Sequence, residues 1–190
     1  MRAFIAIELS KEIKEALAQI QQKLSPFTQS LNIVNPENIH LTLRFLGEID
    51  EGIVEEINTA LQEAAKERSQ FSVALGNIAA FPKMEYPRVI WAGITKGNAE
   101  LLNIATAIEE RLTNIGLPKE DKSFSAHITI ARVKSSHDRA QLVNTLKTIP
   151  PLPHQETLVN KFTLFKSTLT PRGAVHEIVK EYYLGTNTRL

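Results

Sequence analysis

Two short patterns in this chain combine side chains that can move protons with side chains that can hold an anion. His40 stands two positions before Thr42, and His127 stands two positions before Thr129. Because side chains at i and i+2 of a strand share a face, each pair places an imidazole beside a hydroxyl, with the intervening apolar residue turned toward a core. Two imidazoles with an unperturbed pKa of about 6.5 can serve as one proton acceptor and one proton donor near neutral pH. The patterns therefore indicate acid–base catalysis.

A cyclic phosphodiester is a substrate that suits this set of side chains. Its hydrolysis needs a base that takes a proton from water and an acid that protonates the departing ribose oxygen on the opposite side of phosphorus. The threonine hydroxyls can donate hydrogen bonds to the non-bridging oxygens as negative charge develops there. Strain in the five-membered ring lowers the barrier, so the sequence predicts a reaction without a metal or another cofactor.

The order of the predicted elements is repeated along the chain. An internal repeat covers approximately 1–82 and 88–171, and an extra strand follows at about 175–184. Each half reads strand, helix, strand, helix, strand, and His40 and His127 fall on the equivalent second strands. One histidine on a strand is most often a half-buried packing residue. Two copies at matching places of a repeat favour a common function.

Periodicity also predicts where the elements lie. Short runs rich in apolar and β-branched residues predict strands at 2–8, 39–46, 71–80, 88–94, 125–133, 158–169 and 175–184. Apolar residues at helical spacing predict helices between them, with N-caps at Ser10, Asp50, Asn98 and either Ser135 or Ser136. Gly116 is expected to end the third helix, and Pro82 is expected to break the chain after the third strand.

Length and composition narrow the class of protein. The 190 residues fit one domain, so we expect a single two-lobed domain over 1–190. The chain has no cysteine, which excludes disulfides and thiolate metal sites and suits a reducing cytoplasm. Its formal net charge is only +1, so an anionic ligand must be held by a local cluster. No apolar run approaches the roughly 20 residues of a membrane helix, and we expect no membrane association.

The paired motifs, together with the segments at 2–9 (RAFIAIEL) and 87–93 (PRVIWAG), resemble the 2H phosphoesterase superfamily. Within it, the chain is similar to the RNA 2′,3′-cyclic phosphodiesterases of LigT/ThpR type, first described as bacterial and archaeal 2′-5′ RNA ligases. The resemblance covers nearly the whole chain. It implies an α+β fold of two lobes related by a pseudo-twofold axis, each with an antiparallel sheet and helices, and an active-site cleft between the lobes.

The resemblance also implies roles. His40 would be the proton donor and His127 the proton acceptor of a hydrolase that opens the terminal 2′,3′-cyclic phosphate of RNA to a 2′-phosphomonoester, without a metal. The same enzyme could catalyse reversible 2′-5′ RNA ligation. Its partner would be RNA with a cyclic-phosphate end, tRNA-like fragments included, and a cytoplasmic monomer is expected.

Further residues are candidates for binding the substrate. Thr42 and Thr129 are expected to bind its phosphate, as is Arg132, because similar enzymes often carry a phosphate-contacting arginine five positions after the second histidine. Strict alternation puts Arg132 on the face opposite that histidine, so this role requires a bulge. Alternation instead places Arg44 on the face of the first motif, which makes it the rival. Phe45 could stack on a base or could simply pack in the core.

Other functions remain open at this point. The same chemistry could act on another small cyclic nucleotide or on a 2′-5′ linkage. A non-catalytic RNA- or nucleotide-binding module would retain the cleft but would be expected to lose a motif histidine. A structural α+β protein with chance motifs would carry its histidines on separate, buried faces. The remaining histidines are expected to be surface residues: His137, His154 and His176.

Overall fold

The structure is a computed structural model that describes residues 1–171 and 173–186. Position 172 and positions 187–190, the end of the expected domain, lie outside the described residues. The helices are α1 (Lys11–Leu24), α2 (Val54–Lys66), α3 (Asn98–Asn114) and α4 (Arg139–Thr148). The strands are β1 (Arg2–Glu8), β2 (Leu31–Ile33), β3 (His40–Glu48), β4 (Phe71–Lys83), β5 (Tyr86–Lys96), β6 (Ile128–Val133), β7 (Glu156–Val159), β8 (Lys161–Thr170) and β9 (Gly173–Tyr183).

The described strands form two antiparallel sheets with related strand orders. One sheet has the order β3-β1-β8-β9, and the other has the order β2-β6-β5-β4-β7. The repeat matches β3 with β6, β1 with β5 and β8 with β4, so three adjacent strands of one sheet correspond to three adjacent strands of the other. The predicted α+β fold with an antiparallel sheet in each lobe is confirmed.

The two halves of the sequence contribute strands to each other's sheets. β4 belongs to the first half of the repeat but lies in the sheet of the second, and β8 belongs to the second half but lies in the sheet of the first. Neither sheet can be completed by one half of the chain alone. This exchange supports the single two-lobed domain, which stays a prediction.

The helices form where the sequence provides both an apolar stripe and a start signal. Ser10 accepts a hydrogen bond from the backbone N–H of Ile13 and begins α1, whose apolar face is buried. Gly116 follows α3 with φ of +92°, a left-handed conformation that glycine adopts without strain. Asp50 caps a single 3₁₀ turn that leads into α2. The predicted cap of α3 is displaced by one residue, because Gly97 occupies the cap and Asn98 begins the helix.

Outside the motif strands, three predicted boundaries were wrong. The last helix is not capped by Ser135 or Ser136, because it begins only after Asp138, whose carboxylate accepts a hydrogen bond from the Ser30 hydroxyl instead. The strand predicted at 158–169 is two strands in different sheets, β7 and β8, separated at Asn160.

The third error concerns Pro82. β4 continues through this residue to Lys83 and turns directly into β5, so the two strands form one long hairpin. The Phe81–Pro82 peptide bond is cis and lies near the end of this hairpin.

The main core lies between the sheets and the helices. Its fully buried side chains include Ile5, Leu17, Leu61, Ile90 and Phe162. A second, smaller cluster of Phe4, Ala6 and Phe165 lies on the opposite face of the first sheet. None of the helices within 1–171 and 173–186 is long and apolar enough to cross a membrane.

Candidate functional site

The two motif strands are neighbours at the boundary between the sheets. β3 is an edge strand of its sheet, and it approaches β6, which in the other sheet is flanked on its outer side by the short β2. His40 begins β3, and His127 immediately precedes β6 and does not lie inside a strand as predicted. Both motifs alternate as expected. The half-buried residues are His40, Thr42, His127 and Thr129, and the buried ones are Leu41, Leu43, Ile128 and Ile130.

A β-bulge interrupts each motif strand directly after its threonine. In β3, Ala6 of β1 pairs with Thr42 but Ile5 pairs with Arg44, so Leu43 is an extra residue. In β6, Trp91 pairs with Thr129 but Ile90 pairs with Ala131, so Ile130 is extra in the same way. An extra residue reverses the side-chain phase of the strand beyond it. The two bulges therefore occupy equivalent positions of the repeat.

The bulges decide which candidate side chains share the faces of the motif histidines. Phe45 pairs with Phe4, whose ring stacks on His40, so Phe45 lies on the His40 face. Arg132 pairs with Val89 of β5, and Thr129 pairs with Trp91. Val89 and Trp91 are two residues apart and share a face, so Arg132 lies on the same face as Thr129. Phe45 and Arg132 each stand five positions after a motif histidine. The sequence required a bulge for Arg132, and the structure contains it.

Arg44 also lines the cleft, but its guanidinium is paired inside the protein. The same bulge turns its side chain into the core, where its exposed fraction is only 3%. Its guanidinium pairs with the Glu109 carboxylate and donates to the carbonyl of Pro118. The expectation that Arg44 shares the His40 face was wrong because it assumed unbroken alternation. Arg44 instead ties β3 to α3 and to the loop that follows this helix.

The His40 ring lies against an aromatic wall. It stacks on Phe4 with 4.8 Å between ring centroids, and the Phe165 ring lies 5.2 Å from Phe4 and 6.4 Å from His40. Burial against this wall and the charge of nearby His176 lower the pKa of His40 to about 4, although the backbone of Asn38 accepts a hydrogen bond that opposes the shift. His40 is therefore neutral at neutral pH when the site contains no anion.

His176 is a site residue that the sequence reasoning missed. It was expected on the surface, but its ring lies 5.3 Å from the His40 ring and 4.8 Å from the Phe4 ring, centroid to centroid. Burial also lowers the pKa of His176. It lies on β9, where it pairs with Ser167 of β8, and β1 and β8 separate β9 from β3. No spacing along the chain indicates this proximity.

His127 has a matching environment in the other sheet. Its Nδ1 lies 2.7 Å from the carbonyl oxygen of Ser125. Because a carbonyl can only accept, Nδ1 carries a proton and Nε2 of the neutral ring is left as an acceptor. Phe81 and Trp91 stack on each other at 4.7 Å and contact the His127 ring edge-on. Each motif histidine thus rests on a pair of stacked aromatic rings.

A cleft of about 1510 Å³ is lined by residues from both motif segments. Thr42 and Phe45 line it from β3, and His127 and Arg132 line it from the other sheet. His40 and Thr129 are not among its lining residues. They lie on the same strand faces as the lining residues, at the ends of the motif strands.

The cleft extends well beyond the motifs. Its further lining comes from the end of the β4–β5 hairpin, the start of α4 and the loop 117–125. Five of its lining residues are cations outside buried pairs: Arg88, Lys119, Lys122, Arg132 and Arg139. Within 1–171 and 173–186, no group of three or more His, Cys, Asp or Glu side chains could hold a metal ion.

Comparison with known proteins agrees with this architecture. A family model for LigT like phosphoesterases matches residues 7–91 and again residues 94–176. An RNA 2′,3′-cyclic phosphodiesterase of Aquifex aeolicus is 36% identical, and the match spans 97% of this chain and 98% of that protein. The protein of the same name from Methanocaldococcus jannaschii is 34% identical, across 96% of this chain and 100% of the relative.

Solved structures show the same fold. The crystal structure of TT0787 of Thermus thermophilus superimposes with a TM-score of 0.85 and 29% identity, covering 98% of this chain and 100% of that one. E. coli LigT complexed with 3′-AMP has a TM-score of 0.80 at 24% identity, covering 97% and 98% of the two chains. The motifs, the paired sheets and the matched family model lead to one assignment: the chain belongs to the LigT-like phosphoesterase family.

Proposed function

We propose that this protein is an RNA 2′,3′-cyclic phosphodiesterase that hydrolyses the terminal cyclic phosphate of RNA to a 2′-phosphomonoester. The observation that carries the proposal is the pair of identically bulged motif strands beside one cleft. Thr42, His127 and Arg132 line this cleft, and His40 and Thr129 lie on the same strand faces. Relatives with this activity in their names match the chain over nearly its full length. The reaction needs no metal in this proposal, because the two imidazoles supply its proton transfers.

In the proposed reaction, His127 is the proton acceptor. Its Nδ1 is held by the Ser125 carbonyl, so the lone pair of Nε2 is available to a water molecule. The water oxygen attacks phosphorus as its proton passes to Nε2. The hydrogen bond to Ser125 also orients the ring, as a fixed partner does for other catalytic histidines.

His40 is the proposed proton donor. The bond between phosphorus and O3′ breaks, and O3′ takes the proton of His40 and leaves as the 3′-hydroxyl. With its pKa lowered to about 4, His40 requires an anion to become protonated at neutral pH. The phosphate of the substrate provides this negative charge, and an adjacent opposite charge favours imidazolium. Substrate binding therefore prepares the acid.

The remaining candidates bind the substrate in this proposal. Thr42 and Thr129 donate hydrogen bonds to the non-bridging oxygens. Arg132 neutralises the phosphate with a guanidinium that protrudes into the cleft. Phe45 is 56% exposed and lines the cleft, which favours stacking on the terminal base over the alternative role in the core.

The proposal also covers ligation, oligomeric state and cellular location. A reversible 2′-5′ ligation would use the same two histidines in the opposite direction. The proposed enzyme is a monomer that acts on RNA fragments, tRNA-like ones included, and the absence of cysteine suits a reducing cytoplasm.

The direct test is to incubate the protein with an oligoribonucleotide ending in a 2′,3′-cyclic phosphate, in excess chelator, and to identify the product by mass and by phosphatase treatment. The expected product carries a 2′-phosphate and a free 3′-hydroxyl. A 3′-phosphate product would contradict the assignment of the leaving oxygen. Cleavage only of a 3′,5′-cyclic nucleotide or a 2′-5′ linkage would favour the alternative substrates.

A further inference from the structure

We propose that Tyr86, Arg88 and Arg139 form a second subsite, which holds the nucleotide on the 5′ side of the cyclic-phosphate nucleotide. The preferred substrate would then be an oligoribonucleotide and not a nucleoside cyclic phosphate. This inference rests on the proposed function and specifies its substrate class. The reaction itself needs nothing from these three residues.

Tyr86 is held in place at the end of the β4–β5 hairpin without being buried. Tyr86 is 55% exposed. The guanidinium carbon of Arg139 lies 4.8 Å from the ring centroid, and the ammonium of Lys83 lies 5.6 Å from it. Arg139 begins α4, so two distant parts of the chain meet at this ring. Cation–π contacts orient an exposed aromatic side chain that would otherwise be free to rotate.

The subsite is continuous with the motif residues. Val89 of β5 pairs with both Phe81 and Arg132, and the Phe81 ring contacts the His127 ring. Tyr86 lies three residues before Val89 in the same strand, which is a distance of about 10 Å. Tyr86 therefore lies within reach of the nucleotide next to the reacting one, while Phe45 on the opposite wall is left for the terminal base.

The charge of this part of the cleft fits a polynucleotide. Arg88 and Arg139 are exposed and line the cleft beside Tyr86, although the whole chain carries a net charge of only +1. Grooves that bind single-stranded nucleic acid combine cations that follow the phosphates with aromatic rings on which bases stack. A mononucleotide has one phosphate and one base, which Arg132 and Phe45 can serve. A second aromatic ring with Arg139 over it, and with Arg88 two residues along the strand in the same cleft, matches the phosphate and base of a second nucleotide.

The test compares kcat/KM for cytidine 2′,3′-cyclic phosphate with kcat/KM for a dinucleotide carrying the same end. The wild-type protein is expected to prefer the dinucleotide by at least about fivefold, a typical effect of one stacked base. Tyr86→Ala should lower kcat/KM for the dinucleotide at least about fivefold more than for the mononucleotide, and Tyr86→Phe should restore the preference. Arg139→Ala should weaken it too.

Lys147→Ala provides the matched control, because Lys147 is an exposed cation in the last turn of the same helix. Its preference should equal that of the wild type. Equal kcat/KM for the two substrates, or an equal loss on both with Tyr86→Ala, would overturn the subsite while leaving the proposed function intact. Should neither substrate be hydrolysed, the proposed function fails. The subsite is then tested by the Kd of a dinucleotide 2′-phosphate. An equal Kd in the wild type and in Tyr86→Ala would overturn the subsite.

Discussion

The His176 ring stands edge-on to the His40 ring, with 5.3 Å between the centroids and 67° between the planes. Both rings also contact Phe4. Two imidazoles this close in a partly buried place disfavour each other's protonation. His176 is therefore placed to control the charge of the proposed proton donor.

Replacing His176 should raise the pKa of His40. His176→Ala removes a neighbouring positive charge and opens His40 to water, and both effects favour the imidazolium form. NMR titration of the His40 ring is expected to show a midpoint near 4 in the wild type and a higher midpoint in the variant. Lys14 also opposes the charge of His40, so Lys14→Ala should give a smaller shift in the same direction. An unchanged midpoint in His176→Ala would remove His176 from this role.

Folding stability should depend on pH through His40. The pKa of His40 is lowered from 6.5 to about 4, so between these values the unfolded chain binds a proton that the folded chain does not. Stability is retained above pH 6.5 and falls as the pH drops toward 4, by about 3 kcal/mol for this one group. Urea unfolding should show this loss in the wild type and a smaller loss in His40→Asn. The same pH dependence in both proteins would refute the assignment.

The two motif histidines should behave as one unit in catalysis. His40→Ala or His127→Ala is each expected to lower kcat by roughly 10² to 10⁴, the usual contribution of general acid–base catalysis. The double variant should lose little more than the worse single variant, because the members of an acid–base pair are not additive. Single-turnover rates in chelator measure this. Full activity of the double variant, or strict dependence on a divalent ion, would rule out the mechanism.

Arg132 should contribute to substrate binding more than a distant cation does. Arg132→Ala removes a guanidinium from the cleft and is expected to raise KM for a cyclic-phosphate oligoribonucleotide by about tenfold, with a weaker dependence of KM on salt. Lys66→Ala, at the exposed end of α2, serves as the control and should leave KM as it is in the wild type. Equal effects of the two replacements would argue against a localised phosphate site.

Arg44 should affect stability and not substrate binding directly. Its guanidinium is buried and pairs with Glu109, so Arg44→Ala leaves an unpaired carboxylate in a partly buried place. The expected loss in the free energy of unfolding is about 3 kcal/mol. Chemical denaturation should show this loss for Arg44→Ala and almost none for the exposed Arg132→Ala. The reverse order would mean that the side-chain phase after the bulge is wrong.

Local pattern alone was sufficient for several features of this protein. The i, i+2 spacing of His40 and Thr42, and of His127 and Thr129, predicted their common faces, because alternation is a property of any strand. The repeat, the amphipathic helices and the end of α3 just before Gly116 followed from periodicity and from the conformational freedom of glycine. The family resemblance rested on the same short segments.

Tertiary structure decided what local pattern could not. The bulges at Leu43 and Ile130 depend on pairing with β1 and β5, and they sent Arg44 into the core while bringing Phe45 and Arg132 to the cleft. The division of 158–169 between two sheets arises because each lobe completes its sheet with a strand from the other half of the repeat. His176 reaches His40 across β1 and β8. Such contacts join positions far apart in the chain, and a period of two or 3.6 residues describes only neighbours.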